Sequence, residues 1–233
     1  MEFNKQETKE KLKKWTLRIL LGYLALSFIW VLTYRWVNPP GTFLMLSRKF
    51  SSENAKIRYD WVDYENISSY LKVCAVASED QNFSDHTGVD FDAIEKAIEY
   101  NKNHTKKRGA STITQQVAKN VFLWPSRSFV RKIFELQFTF MIEMLWPKER
   151  VMEVYLNVIE MGPMTFGAEA AAKRYFRKSA SKLSLEESAL LIAILPSPLK
   201  WSATKPGPYV IKRQRWIIRQ YRMIGGTQYL KDL

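Results

Sequence analysis

Residues 19–34 run without a charge and are rich in Leu, Ile, Phe, Trp and Val; after them the pattern changes to shorter periodic segments divided by proline, glycine and polar clusters. With Arg18 and Arg35 snorkelling at its ends, the stretch 15–37 is long enough to cross a bilayer, and Trp15, Tyr34 and Trp36 fall where interfacial aromatics belong. Pro39, Pro40 and Gly41 then break the helix. Beyond them the period is helical, with little sustained alternation. Residues 70–77 predict an apolar helix leading into Glu79, and 90–100 carries Phe91, Ile94, Ala97 and Ile98 at helical spacing. The polar, basic stretch 101–109 (Lys102, Lys106, Lys107, Arg108) reads as a loop. A short helix follows over 112–122, stopped before Pro125, and Ser128 N-caps a longer one that runs to Trp146 and ends at Pro147. Residues 148–161 predict the next, closed by Gly162 and Pro163. Ser184 with Glu187 makes a capping box ahead of the apolar 189–195. The expectation is an all-α domain at 56–233, preceded by a basic tail (1–14), one transmembrane helix (15–37) and a linker (38–55).

Charge orients this scheme. Lys5, Lys9, Lys11, Lys13, Lys14 and Arg18 outweigh three glutamates before the span, which puts the N-terminus in the cytoplasm and everything after about residue 38 outside. No small-x-small cleavage site follows the span, so an anchor is expected rather than a removed signal peptide. The net charge of +13 asks for an anionic partner, and the outer location turns that away from nucleic acid towards a membrane surface or a phosphate-bearing substrate. Cys74 is the one cysteine; its apolar neighbours Val73, Ala75 and Val76 mark it as a buried structural thiol. With only His86 and His104, a zinc site or a Ser-His-Asp triad has little material.

Three segments carry candidate chemistry. On the 128–146 helix a narrow polar stripe of Arg131, Glu135 and Thr139 runs between two apolar faces. Such a carboxylate is either tied to Arg131 in the interior or solvated in a cleft, and the residues leave both readings open. Glu79 and Asp80 open a ten-residue run that ends in an aromatic, a His and a Gly, a shaped turn that Asp80 and His86 could pin while Glu79 stays free. An exposed helix end is the plainer alternative. Ser111, Gln115 and Lys119 share a helical side with Gln116 and Asn120 beside them, a donor-rich face ending in a cation, suited to sugar hydroxyls and a phosphate. Arg127, Arg131 and Lys132 follow closely enough to complete an anion clamp.

Together these segments resemble the family 51 glycosyltransferases, the peptidoglycan glycosyltransferases. The pattern ED-x-x-F-x-x-H-x-G lies at 79–88, G-x-S-T-I-x-Q-Q-x-x-K-N at 109–120 and R-K-x-x-E at 131–135. A fourth signature covers 153–157 through Gly162, Gly167, Ala170, Ala171, Tyr175 and Phe176, and a fifth covers 183–198. The run from Val158 to Pro163 and from Phe166 to Ala171 is similar to the monofunctional Gram-negative subgroup; Thr139 departs from the alanine of many bifunctional relatives.

The resemblance implies a lysozyme-like helical lobe beside a smaller jaw that dips into the membrane of a bacterial inner membrane protein, with the catalytic domain periplasmic. It implies that Glu79 is the general base on the 4-hydroxyl of lipid II. That oxygen attacks the anomeric carbon of the lipid-linked glycan chain, forming a β-1,4 link with inversion and releasing undecaprenyl pyrophosphate. Glu135 would assist departure, directly or through a divalent ion; magnesium or manganese beside it is the only metal suggested, and no cofactor is required. Lys119, Arg127 and Lys132 would clamp the pyrophosphate, with Ser111, Thr112, Gln115, Gln116, Asn120 and Arg131 completing the substrate-binding set. Asp80, Phe83, His86 and Gly88 would support the site. Partners expected are lipid II, inner-membrane lipids, and cell-division or elongation proteins. Phe122, Leu123, Trp124 and Phe129 read either as jaw or as core. Transpeptidase activity is not expected: S-x-x-K strings begin at Ser179 and Ser197, but no K-T-G follows. A lytic enzyme cutting the same polymer would have no use for the basic clamp, and an inactive scaffold none for the second glutamate.

Overall fold

The computed structural model describes residues 2–51, 56–105, 107–126, 128–231 and 233; side chains are described from residue 7 onwards. The anchor is one helix, α1 (Glu2–Thr33), so the basic tail continues the span's helix, which ends before residue 37. Within it Glu7–Thr33 is long and apolar enough to cross a membrane. The segment expected as linker carries a helix of its own, α2 (Phe43–Phe50), which starts where Thr42 accepts a hydrogen bond from the Met45 N–H at 3.1 Å. Residues 52–55 of that segment, and Lys106 of the basic loop, lie outside the described residues.

The body is built from α3 (Ser69–Glu79), α4 (Phe91–Asn103), α5 (Ile113–Phe122), α6 (Phe129–Leu145), α7 (Lys148–Val158), α8 (Ala168–Phe176), α9 (Leu185–Ala193) and α10 (Pro208–Met223). Its caps are the local ones: Thr112 with Gln115 and Ser184 with Glu187 form capping boxes, and Ser128 accepts from the Arg131 N–H. The helix expected over 148–161 stops at Val158 instead. Glu160–Gly162 becomes strand β2, turning at Met164 (φ 54°) into β3 (Thr165–Phe166); β1 (Arg58–Tyr59) joins parallel on the other side of β3. At Gly162 the Tyr175 hydroxyl occupies the space that a Cβ would need. The domain is therefore helical with one three-stranded sheet order, β1-β3-β2.

The core lies where α3, α5, α7 and α9 meet: Leu71, Phe83, Ile113, Met152, Tyr155, Leu156, Leu191 and Ile192 are fully buried. Cys74 is among them, and burial pushes its thiol up to about 12, as a structural thiol should be. The period of α4 is helical as expected, but its apolar face stays outside the core; Phe91 and Ile98 are more than half exposed.

The anchor is packed on the domain. Trp30 stacks edge-on against Phe122 and Phe138, Tyr23 donates to Gln137 of α6, and the Trp146 indole N–H donates to the Val31 carbonyl at 2.8 Å. Arg150 gathers the carbonyls of Tyr34 and Val37 at the end of the span. Of the four residues that read as jaw or core, Phe122 and Leu123 are buried in the core, whereas Trp124 and Phe129 are exposed, with Ile133, Phe140 and Met144 exposed along the same helix.

Candidate active site

Glu79 is the last residue of α3, and its side chain is 18% exposed. Its Oε1 accepts from the Ser78 hydroxyl at 2.9 Å and from Arg213 at 3.3 Å; its Oε2 accepts from the Gln116 amide at 3.3 Å. The carboxylate thus keeps an open side in a hollow of about 340 Å³, shared with Gln81, Asn82, Lys96, Ser111 and Trp216.

The turn that follows is braced from below. Asp80 is buried; one oxygen accepts from the Ile113 N–H at the start of α5 (2.9 Å) and the other sits 2.8 Å from His86 Nε2. Because the Gly88 N–H donates to His86 Nδ1, the ring proton belongs on Nε2 and is donated to Asp80. Phe83 is fully buried against the His86 ring. Gly88, at φ 87°, accepts from the Thr112 hydroxyl at 2.6 Å, and a Cβ there would stand 2.6 Å from Thr139 and 2.7 Å from Glu143. Asp80 and Gly88 tie the start of α5 to the end of α3, His86 bridges the two, and Phe83 packs against its ring.

Around the first turns of α5 opens a larger cleft of about 800 Å³ that meets the Glu79 hollow at Ser111. Ser111, Gln115, Gln116, Lys119, Asn120, Arg131 and Lys132 line it, as does Glu135. Thr112 lines the Glu79 hollow instead, and its hydroxyl donates to the Gly88 carbonyl and accepts from the Gln115 N–H at the α5 cap. Gln115 lines the cleft while its Oε1 is committed to the Thr112 N–H. Arg127 lies outside the described residues.

Glu135 settles both earlier alternatives at once. It is buried and tied to Arg131 at 2.7 Å and Lys132 at 2.5 Å, yet all three face the cleft. Two cations neutralise one carboxylate, and Lys119 stands close by. Solvent reaches Lys119, but protein crowding desolvates its ammonium and lowers its pKa; Arg131 and Lys132 lower it further, while Glu135 and Glu79 act the other way. The result is a cationic pocket with positive charge to spare, fit for a polyanion. It does not fit a metal: Glu135's partners are cations, and among the described residues no cluster of three acids, histidines or cysteines could hold an ion.

Two contributors escaped the sequence analysis. Arg213 of α10 donates to Ser78 at 2.9 Å and reaches Glu79. Arg48 of α2 lines the main cleft and is held there by a bidentate pair with buried Glu160 at 2.9 and 2.8 Å. Arg131 and Arg213 each also leave a buried Nε–H without a protein partner.

The sequence model of the family described as Transglycosylase matches residues 47–222. A Pseudomonas putida protein named "Biosynthetic peptidoglycan transglycosylase" is 51% identical over 220 residues, covering 93% of each chain. A Pseudomonas aeruginosa protein of the same name is 48% identical over 220 residues, covering 93% of this chain and 95% of its own.

Proposed function

The chain belongs to the Transglycosylase family, and from that premise we propose that its cleft joins the lipid-linked glycan chain to lipid II, with Glu79 and Glu135 in different roles. The protein is a peptidoglycan glycosyltransferase that polymerises glycan strands. One observation carries the assignment of roles: of two carboxylates in adjoining hollows, one is partly open and held mainly by neutral groups, and the other is buried under two cations.

A sugar hydroxyl is a poor nucleophile near neutral pH and needs a positioned base. Glu79 has an open side for the acceptor's 4-hydroxyl, while Gln116, Ser78 and Arg213 fix its rotamer. The proton passes to Glu79 as the acceptor oxygen attacks the anomeric carbon from the face opposite the leaving group, giving a β-1,4 link with inversion. Pyrophosphate is already a good leaving group, so charge stabilisation matters more than a proton donor. Lys119, Arg131 and Lys132 supply it. Glu135 acts through its cations, holding Arg131 and Lys132 aimed into the cleft before the substrate arrives. The unpartnered Nε–H of Arg131 is a further donor that a phosphate oxygen satisfies.

The apolar helix Glu7–Thr33 serves as the membrane anchor, and the excess of cations ahead of it supports a periplasmic domain. The exposed apolar side chains of α2 (Phe43, Leu46, Phe50) and α6 make the jaw, the surface by which the domain dips towards the lipids that carry its substrates. The deciding assay is polymerisation of labelled lipid II by detergent-purified protein beside Glu79→Gln and Glu135→Gln, with muramidase digestion of the product. Muramidase-sensitive polymer from the wild type alone supports the assignment. Undiminished polymer from either variant removes that glutamate from the mechanism, and cleavage of preformed glycan would make the enzyme lytic.

A further inference from the structure

Helix α10 carries Lys212, Arg213, Arg215, Arg219 and Arg222 and no acidic residue. Arg213 turns in to Glu79, whereas Lys212, Arg215 and Arg219 stand exposed on another side, three and four residues apart, and pair with no acid among the described residues. They border a groove of about 610 Å³ whose central side chain is the half-buried Trp216. The same indole is a wall of the hollow that holds Glu79, and that hollow meets the main cleft at Ser111. The Glu79 hollow therefore shares a wall with each of its neighbours, Ser111 with the cleft of the cationic clamp and Trp216 with a second cationic zone on α10.

The second zone needs a ligand of its own. The leaving pyrophosphate is matched by Lys119, Arg131 and Lys132 in the main cleft, which adjoins the Glu79 hollow at Ser111 and not at Trp216. Past Glu79 the available chemistry is an aromatic face among unpaired cations. Sugar C–H faces stack on indole, and carboxylates pair with Lys and Arg. The acceptor is one disaccharide long, and its own pyrophosphate is tied to a lipid held at the membrane, so it has no sugars to extend into a groove on α10. The growing strand has many, and its peptide side chains carry free carboxylates.

We propose that the α10 groove is a strand-holding subsite. Trp216 stacks on an upstream sugar of the growing glycan, and Lys212, Arg215 and Arg219 pair with the carboxylates of its peptides. No bond is made or broken there; the groove keeps the product end of the strand on the enzyme between additions. This rests on the transferase assignment above.

The test uses the full chain in a neutral detergent, with labelled lipid II, and compares wild type with Arg215→Gln/Arg219→Gln and with Lys212→Gln added. Initial lipid II consumption and strand length on gels are read together, with thermal unfolding as the check on folding. Loss of a tethering contact should shorten strands by about threefold or more while initial consumption stays within about twofold. Strands of wild-type length overturn the proposal. So does consumption that falls in step with length, which would place the cations in the reaction itself. A length difference that emerges only when phosphatidylglycerol is added would assign the groove to lipid headgroups instead. A wild type that makes no polymer counts against the transferase assignment, a result separate from all of these.

Discussion

Asp80→Asn is the sharpest probe of how this site is held. Asp80 accepts from two donors in the protein interior, the Ile113 N–H and the His86 Nε2–H. Asparagine keeps the shape but has one acceptor, and its amide nitrogen must face one of those donors. His86 cannot rescue the mismatch by changing tautomer, because the Gly88 N–H already donates to its Nδ1. One charge-assisted bond weakens to a neutral one, and a buried donor loses its acceptor. Hydrogen bonds to charged groups contribute about 1.5–3 kcal/mol, and an unsatisfied buried donor costs about 1–3 kcal/mol. Because the two overlap, the expected destabilisation is about 2–4 kcal/mol. For a chain of this size that lowers Tm by about 4–16 °C. Thermal unfolding of the detergent-purified protein, followed by circular dichroism, reads it directly. Polymerisation should fall as well, since Asp80 sets the start of α5 against Glu79. A Tm within about 1 °C of wild type would refute the brace. Lost activity with unchanged stability would then mean that Asp80 takes part in the chemistry itself.

Gly88→Ala combines a left-handed backbone costing about 1–2 kcal/mol with overpacking of about 1–3 kcal/mol against Thr139 and Glu143, so unfolding in denaturant should shift by about 2–5 kcal/mol. Lys119 must be protonated to hold phosphate, and its lowered pKa brings the alkaline limb of kcat/KM below that of an ordinary lysine; Lys119→Arg should move that limb up. Between the lowered folded value and the ordinary one the unfolded chain binds more protons, so Lys119 makes stability rise with pH there, a slope that pH-dependent melts should find missing in Lys119→Arg. Cys74, with its pKa pushed up to about 12 and no exposed surface, should resist thiol reagents in the folded protein and label promptly in denaturant; prompt labelling of the native protein would contradict that burial.

Much of this architecture is legible along the chain because its causes are local. The span follows from residues 19–34, and the caps at Ser128 and Ser184 from a hydroxyl placed ahead of a periodic run. The residues of the Glu79 turn and the Gln116–Lys119 face are recognisable because each set lies within one short run of the chain, although the bonds that hold them come from farther away. The helix read over 148–161 failed at Val158 because its end is decided by strand pairing with Thr165–Phe166. The apolar period of α4 gave the right helix, but its face remains uncovered, since periodicity does not say whether a neighbour will pack there.

By itself, then, the sequence determined the anchor, the family signatures, the two carboxylates and the excess of cations. Tertiary structure decided which cations each carboxylate meets. Arg213 arrives at Glu79 from 134 positions away, and Arg48 reaches Glu160 across 112. Such contacts leave no period and no spacing in the chain. They depend on α10 crossing α3 and on α2 folding back over the cleft, and the burial that drives those packings does not encode which charged side chain ends up beside which.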